Sequence, residues 1–316
     1  MEPKKIAVEE VDTAYDLMHK MVHRTPILRS RLLDELTGCT LFVKTENFQR
    51  TGSFKMRGAS HAVAVLSPEQ KEKGVLTHSS GNFAQALALA AKDQGVKAYI
   101  VMPENAPKVK VAAVRDYGAE IITSGSRPLD REEMAEEVRQ RTGATFIHPS
   151  NDRAVILGQA TCAYEFHQDR PDLHVIMAPV GGGGLIAGTI LATQLLNPSC
   201  SIIGAEPFNV DDAYRSLQSR KIETNASAQT IADGLRTNLG DINFPIILGG
   251  LERIIRVEEA EIIEAMQWIW ERMKLVAEPS AAVPLAAVLK EKERFAGKKV
   301  GLILSGGNVD VSDLPF

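Results

Sequence analysis

The chain has 316 residues, of which 44% are hydrophobic and 24% charged, and its formal net charge is −4 with a sequence pI near 6.0. These proportions are typical of a soluble globular protein and argue against a disordered or membrane-resident chain. The acidic balance leaves no excess positive charge to neutralise a phosphate backbone, so small molecules rather than nucleic acid are the expected partners.

The cysteines and the amino-terminal segment indicate the compartment. Cys39, Cys162 and Cys200 are odd in number and far apart, without the short spacings of zinc or redox sites, which predicts reduced and buried thiols. Residues 1–16 carry acidic side chains where a signal peptide would be apolar. No apolar run approaches the ~18 residues that span a bilayer. We therefore expect a cytoplasmic protein without a membrane segment.

Short apolar runs alternate with longer amphipathic stretches along the chain. Runs rich in Val and Ile that end at Gly, Pro or Ser predict buried parallel strands at residues 40–43, 98–102, 120–123, 175–180, 201–205 and 299–304. Apolar residues at helical spacing predict helices at residues 82–94, 130–142, 185–196 and 258–273, and polar composition predicts surface loops at 124–129 and 221–229. This alternation is typical of a doubly wound α/β fold, and a chain of this length is expected to form two domains.

Residues 51–58, Thr-Gly-Ser-Phe-Lys-Met-Arg-Gly, place Lys55 among small residues and beside Phe54 at the predicted start of a helix. A lysine amine forms a Schiff base with an aldehyde cofactor when its surroundings lower its pKa. A lysine taken alone is far more often a solvated surface side chain. The neighbouring motifs favour the functional interpretation.

The predicted strand at 175–180 runs directly into Gly181, Gly182, Gly183 and Gly184, and an apolar helical segment follows. A glycine turn between a strand and a helix exposes backbone N–H groups at the positive end of the helix dipole, which suits a phosphate. Two other interpretations stay open. One is a simple tight turn, and the other is a dinucleotide site, since Gly182-x-Gly184-x-x-Ala187 nearly fits that fingerprint and Glu206 follows about twenty residues on.

Two further polar turns follow apolar runs. Ser79-Ser80-Gly81-Asn82 precedes a predicted helix, so that Ser or Asn there is either a helix cap or a ligand-binding group. Ser305-Gly306-Gly307-Asn308 follows the last predicted strand. Because ligands of open α/β sheets bind beyond the carboxyl ends of the strands, these turns and the glycine turn are candidates for one crevice.

These motifs together resemble the fold-type II pyridoxal-phosphate enzymes, and within them the serine racemase and serine/threonine dehydratase group. The likeness also includes Thr230-Ile231-Ala232-Asp233-Gly234 and Glu278-Pro279-Ser280. It implies a tryptophan synthase β-like fold with two doubly wound α/β domains and the cofactor in the cleft between them. The large domain is expected to comprise residues 1–73 and 152–316, and the small domain residues 74–151. The likeness also implies a homodimer.

The resemblance assigns roles residue by residue. Lys55 is implied to bind pyridoxal 5'-phosphate covalently and Ser80 to act as a second acid/base. The other implied cofactor contacts are Phe54, Asn82, Gly181, Gly182, Gly183, Gly184 and Ser305, with Asn82 on the ring hydroxyl and Ser305 at the ring nitrogen. The implied substrate contacts are Ser79, Ser80, Asn82, Arg131 and Thr237. A divalent cation, Mg²⁺, Ca²⁺ or Mn²⁺, is implied at Glu206, the Val210 carbonyl and Asp212.

The implied activity is elimination of water from L-serine, L-threonine or a related hydroxy amino acid to give a 2-oxo acid and ammonia. Ser80 keeps racemisation open, and the chain could be primarily a racemase. More distant alternatives are an NAD-linked oxidoreductase and a binding protein that has lost catalysis. One departure from the group bears on substrate choice: Phe83 stands where many relatives have His, and a phenylalanine cannot donate a hydrogen bond to a substrate.

Overall fold

The computed structural model describes residues 6–106 and 108–316. It contains two sheets, built from strands β1 Ile27–Leu28, β2 Thr40–Thr45, β3 Val75–His78, β4 Ala98–Pro103, β5 Glu120–Ser124, β6 Thr145–Phe146, β7 Val175–Pro179, β8 Ser201–Pro207, β9 Arg253–Val257 and β10 Lys299–Leu304. The six-stranded sheet has the order β1-β2-β10-β7-β8-β9, and the four-stranded sheet has the order β5-β4-β3-β6. All pairs are parallel except β1 with β2. The predicted α/β class is confirmed.

The helices connect these strands and cover the sheets. They are α1 Glu10–Met18, α2 Arg31–Thr37, α3 Lys55–Ala64, α4 Pro68–Lys73, α5 Asn82–Asp93, α6 Lys108–Asp116, α7 Pro128–Thr142, α8 Arg153–Asp169, α9 Gly184–Leu196, α10 Asp212–Ser219, α11 Phe244–Gly250, α12 Glu259–Trp268, α13 Pro279–Lys290 and α14 Lys292–Phe295. Within the described residues no helix combines the length and the apolar character needed to cross a membrane.

Alternate residues of each central strand enter different hydrophobic clusters. In β7, Ile176 and Ala178 pack with α8 and α9, whereas Val175 and Met177 pack on the opposite face with α12 and α13. A strand that is apolar on both faces needs helices on both, which explains the continuous Val and Ile runs in the sequence. Cys39, Cys162 and Cys200 are free thiols buried in these layers, as predicted.

Two of the predicted element boundaries are wrong. The predicted loop 124–129 is shorter, because β5 reaches Ser124 and α7 already begins at Pro128, where proline fits the first helical position and Asp130 accepts a hydrogen bond from the Arg127 N–H. The predicted helix 258–273 changes type, since α12 ends at Trp268 and a π-helix follows over Ile269–Met273. Apolar spacing does not distinguish these two helix types.

Helix α8 lies between α3 and α9 at unusually close range. A Cβ atom at Gly158 would lie 2.5 Å from the Arg57 carbonyl oxygen and 2.7 Å from the Gly58 Cα. On the other side, a Cβ at Gly188 would lie 2.6 Å from the Ala160 nitrogen. Only glycine permits these backbone approaches, so α8 sets the separation between α3 and α9.

A buried ion network holds α3 in place. The Arg57 guanidinium donates to Glu46 through Nε at 2.7 Å and to Glu165 through Nη2 at 2.9 Å, and Lys44 Nζ lies 2.7 Å from Glu165. All of these side chains are essentially inaccessible to solvent. Burial acts to raise the pKa of Glu46, but Arg57, Lys44 and the Thr25 hydroxyl together outweigh burial, so that the pKa is lowered. The two positive and two negative charges therefore compensate each other.

Replacing Arg57 with alanine is expected to lower the free energy of unfolding by about 3–5 kcal/mol, because buried Glu46 loses its cationic hydrogen-bond partner and Glu165 keeps only Lys44. Urea denaturation followed by circular dichroism measures this change. The matched control is Arg24→Ala, whose ion pair with Asp169 is exposed and is expected to contribute about 0–1 kcal/mol. Equal losses in the two variants would contradict the role of the buried network.

Candidate active site

Lys55 is the first residue of α3 and lies in an apolar setting. Its Nζ is 4.9 Å from the ring centroid of Phe54 and 5.9 Å from that of Phe83, and it donates a hydrogen bond to the Pro149 carbonyl oxygen at 3.1 Å. Burial lowers the pKa of Lys55 to about 8, although the carboxylate of Glu278 acts in the opposite direction. The amine therefore has a larger neutral fraction at neutral pH than an ordinary lysine, which favours its action as a nucleophile and a base.

The glycine loop joins β7 to α9 and is entirely buried. Gly183 is the N-cap residue with φ of +81° and makes no side-chain capping hydrogen bond, so the cap leaves the first N–H groups of the helix available. A Cβ at Gly182 would overlap the Ser150 hydroxyl and lie 2.9 Å from the Thr237 Oγ1. The loop is therefore a cradle of backbone N–H groups bordered by two hydroxyl groups.

A turn over residues 148–151 connects Lys55 with this cradle. The Pro149 carbonyl accepts from Lys55, and the next residue, Ser150, packs against Gly182 and Gly184. The Asn243 amide donates to the Gly182 carbonyl at 2.8 Å and to the Ser150 carbonyl at 3.3 Å. The lysine and the glycine loop thus share neighbours, as the sequence predicts for one crevice.

The two other polar turns also meet beside Lys55. The Asn82 amide donates to both carboxylate oxygens of Glu278 at 3.0 Å, and its oxygen accepts from Asn308 at 2.9 Å. The Ser305 carbonyl accepts from the Phe54 N–H at 3.0 Å, directly before Lys55 in the chain. All three polar turns therefore converge, as expected for ligand sites at the carboxyl ends of parallel strands.

The serines of the first turn do not cap the following helix. Gly81 is the N-cap residue of α5, and it makes no side-chain capping hydrogen bond. The Ser79 hydroxyl accepts from the Gly81 N–H at 3.4 Å, and Ser80 lies in the same half-buried turn. The interpretation of Ser80 as a mere helix cap is wrong.

Arg131 and Thr237 approach the site from different sides. Thr237 borders the glycine loop at Gly182. Arg131, on α7, faces His78, which directly precedes Ser79: burial lowers the pKa of His78, and the positive charge of Arg131 lowers it further. The buried Arg131 Nε has no hydrogen-bond partner within residues 6–106 and 108–316.

The predicted cation ligands are gathered around the end of β8. Glu206, Val210 and Asp212 are all fully buried. Glu206 accepts from the N–H groups of Ala213 and Tyr214, and Asp212 accepts from the Leu239 N–H at 3.1 Å. Burial raises the pKa of both carboxyls, that of Asp212 to about 6, and the nearby Asp212 raises that of Glu206 further. Neither carboxylate forms a salt bridge within the part of the chain that the structure describes.

Comparison with known proteins identifies the family. The family model described as pyridoxal-phosphate dependent enzyme matches residues 19–306. The chain belongs to this family. It is 45% identical over 308 residues to a beta-hydroxyaspartate dehydratase of Paracoccus denitrificans, covering 98% of each chain. Its fold is similar to the crystal structure of a serine racemase from Dictyostelium discoideum, with a TM-score of 0.93, 44% identity and coverage of 97% and 99%. It is also similar to a threonine deaminase of T.th., with a TM-score of 0.92, 42% identity and coverage of 96% and 99%.

This membership confirms the predicted fold-type II pyridoxal-phosphate enzyme of the serine racemase and dehydratase group. The dinucleotide interpretation of the glycine loop is therefore wrong. The residues of the site also fit the cofactor by their own chemistry: an amine of lowered pKa can bind an aldehyde, and a buried glycine cradle that excludes any Cβ leaves its N–H groups for a phosphate.

Several residues of this pyridoxal-phosphate enzyme's site are not predicted individually from the sequence. In the sequence, Glu278 is recognised only as part of a motif, without its hydrogen bonds to Asn82 or its effect on the pKa of Lys55. Ser150 and Asn243 carry no sequence signal, because they are a turn residue and a helix-preceding residue of common type. Their importance arises only from the close approach that Gly182 permits.

Replacing Gly182 with alanine is expected to weaken binding of pyridoxal phosphate at least about tenfold, since the added methyl group displaces the Ser150 hydroxyl. Equilibrium dialysis of the cofactor measures this constant. Gly249→Ala is the matched control, because a Cβ there has no atom within 4 Å. Unchanged affinity in a folded Gly182→Ala variant would contradict the cradle.

Proposed function

We propose that this pyridoxal-phosphate enzyme removes water from a small 3-hydroxy amino acid, such as L-serine, L-threonine or 3-hydroxyaspartate, and releases a 2-oxo acid and ammonia. The observation that carries the proposal is the Lys55 amine, with its pKa lowered to about 8 and its Nζ 3.1 Å from the Pro149 carbonyl beside the glycine loop. The relatives support the reaction class, because a dehydratase, a racemase and a deaminase all labilise a bond at Cα.

The roles within this proposal follow the site geometry. Lys55 holds the cofactor covalently, and Gly181 to Gly184 bind its phosphate through backbone N–H groups at the start of α9. Phe54, Asn82 and Ser305 surround its ring. The chemistry that bound pyridoxal phosphate supplies is withdrawal of electrons from the substrate Cα. Displacement of the Lys55 amine by the substrate amine would free Lys55 Nζ to accept the Cα proton and to pass it to the hydroxyl, which would leave Cβ with its bonding electron pair as water. Lys55 would then displace the product amine and hold the cofactor again. Hydrolysis of the resulting enamine yields the 2-oxo acid and ammonia.

Arg131, Ser79 and Thr237 are proposed to hold the substrate together with Asn82. The buried guanidinium Nε of Arg131 and its position beside His78 support a carboxylate-binding role. Phe83 does not contribute a polar contact: its ring is 2% exposed and packs in the core beneath Lys55. Recognition of the substrate carboxylate therefore depends on Arg131 rather than on Phe83.

Ser80 favours racemisation as a second activity. It belongs to the polar turn beside Lys55 but is not the N-cap of α5. A hydroxyl that is not needed as a cap is available to return a proton to Cα from the face opposite Lys55.

We also propose the domain division 1–73 and 152–316 against 74–151, with the cofactor in the cleft. The strand order supports it, since β3, β4, β5 and β6 form their own sheet while β2 and β10 pair across the chain. The homodimer and the cytoplasmic location stay predictions.

Lys55→Ala is expected to lack the lysine-bound chromophore that borohydride reduces, and to lower kcat/KM for elimination by about 10²–10⁴-fold, the usual contribution of a general base. Absorbance spectra and a panel of L- and D-hydroxy amino acids test this, with 2-oxo acid and enantiomer both measured. Lys292→Ala, at an exposed position, is the control. A reducible chromophore that survives in Lys55→Ala would overturn the proposed function.

The same panel separates the two activities. Ser80→Ala is expected to keep elimination of the L-substrate and to lose formation of the opposite enantiomer. Equal loss of both products would assign Ser80 to substrate binding instead.

We further propose a divalent cation at Glu206, the Val210 carbonyl and Asp212. Two buried carboxyl groups of raised pKa lie together, and Asp211, by contrast, is neutralised by Arg215 and Arg256. Hard oxygen ligands of this kind suit Mg²⁺ or Ca²⁺.

Addition of Mg²⁺ is expected to raise the Tm of the enzyme, with a gain of roughly 2.7 kcal/mol at about 100 times its Kd. Glu206→Gln is expected to abolish the shift, because an amide lacks the ligand charge, whereas Glu252→Gln, at an exposed position, is expected to keep it. Differential scanning calorimetry with Mg²⁺ or EDTA measures both. A shift that persists in Glu206→Gln would exclude this site.

A further inference from the structure

His148 has no role in the reaction proposed above, yet it organises the turn that joins Lys55 to the glycine loop. Its Nδ1 accepts hydrogen bonds from the N–H groups of Ser150 at 3.1 Å and Asn151 at 2.8 Å. A ring nitrogen that accepts a hydrogen bond carries no proton, so the imidazole is neutral with its proton on Nε2.

The three residues that follow His148 in this turn contact Lys55, the glycine loop or the segment 242–243 that holds the loop. Pro149 offers its carbonyl to Lys55, and Ser150 packs against Gly182 and Gly184. The Asn151 side-chain oxygen accepts from the Ile242 N–H at 2.9 Å, next to Asn243, which donates to the Gly182 carbonyl. Loss of the turn would therefore disturb the amine and the phosphate cradle together.

We propose that His148 is a positioning residue whose unprotonated Nδ1 holds the turn 148–151 and thereby sets the Lys55 amine against the glycine loop. Protonation of Nδ1 would remove both acceptor bonds and release the turn. This inference rests on the proposed function, since it takes Lys55 and the glycine loop as the cofactor site.

Burial, together with nearby charges, favours the neutral form of the ring. Burial lowers the pKa of His148 to about 4, and His78 from β3 and Lys55 from α3 act in the same direction, whereas Asp241 opposes them. Burial and the positive charge of Arg131 from α7 lower the pKa of His78, while Glu132 opposes that effect. The folded-state pKa of His148 lies below the ordinary value of about 6.5. The stabilisation that its neutral ring gives to the folded turn is therefore complete above pH ~6.5 and is lost as the pH falls toward 4.

The test compares His148→Phe, which keeps a ring without an acceptor, with His148→Asn, whose side-chain oxygen can replace Nδ1. We expect His148→Phe to weaken binding of pyridoxal phosphate at least about tenfold and His148→Asn to stay within about threefold of the parent enzyme. Affinity measured from pH 8 to 4 is expected to fall more steeply in the parent enzyme than in His148→Asn, which has no titrating group at this position.

A second measurement needs no variant. Long-range ¹H–¹⁵N NMR of the holoenzyme is expected to show an unprotonated Nδ1 for His148 at pH 7.5. A protonated Nδ1, or parent-like affinity in a folded His148→Phe variant, would overturn the inference. If Lys55→Ala loses its chromophore while His148→Phe binds normally, only this inference fails; if Lys55→Ala keeps the chromophore, the proposed function itself fails.

Discussion

The buried guanidinium of Arg57 is the interaction on which the site depends. It lies two residues after Lys55 and joins α3 to Glu46, directly after β2, and to Glu165 on α8. Since the charges are removed from water, each partner would be costly without the others. The network therefore restrains the start of α3, and with it the lysine, more firmly than apolar packing alone, which tolerates small shifts.

Helix α8 extends this restraint to the other half of the site. One side of α8 meets α3 at Gly58 and Gly158, and the other meets α9 at Gly188. Lys55 is the first residue of α3 and Gly184 the first of α9, so the amine and the amino-terminal end of α9 belong to helices packed against a common neighbour. The relative positions of the lysine and the glycine loop are thus set by one helix packing arrangement.

The sequence predicts the parts of this arrangement that depend on local chemistry. The Val-rich strands, the glycine turn and the polar turns at 79–82 and 305–308 are visible because each needs particular residue types at consecutive positions. The turn at 148–151 is not visible, because β6 has only two residues and His148 acts through a single ring nitrogen. The contact between Asn82 and Glu278 spans 196 positions and arises from tertiary packing alone.

The buried thiols give the folded chain a distinct chemical behaviour. Burial raises the pKa of all three cysteines, that of Cys200 to about 12, so the reactive thiolate is almost absent while the layers remain packed. Alkylating reagents should consequently modify this protein only when its interior opens. The rate of such labelling therefore reports how often the interior opens, and Cys162, which lies on α8 and is fully buried, reports the rarest openings.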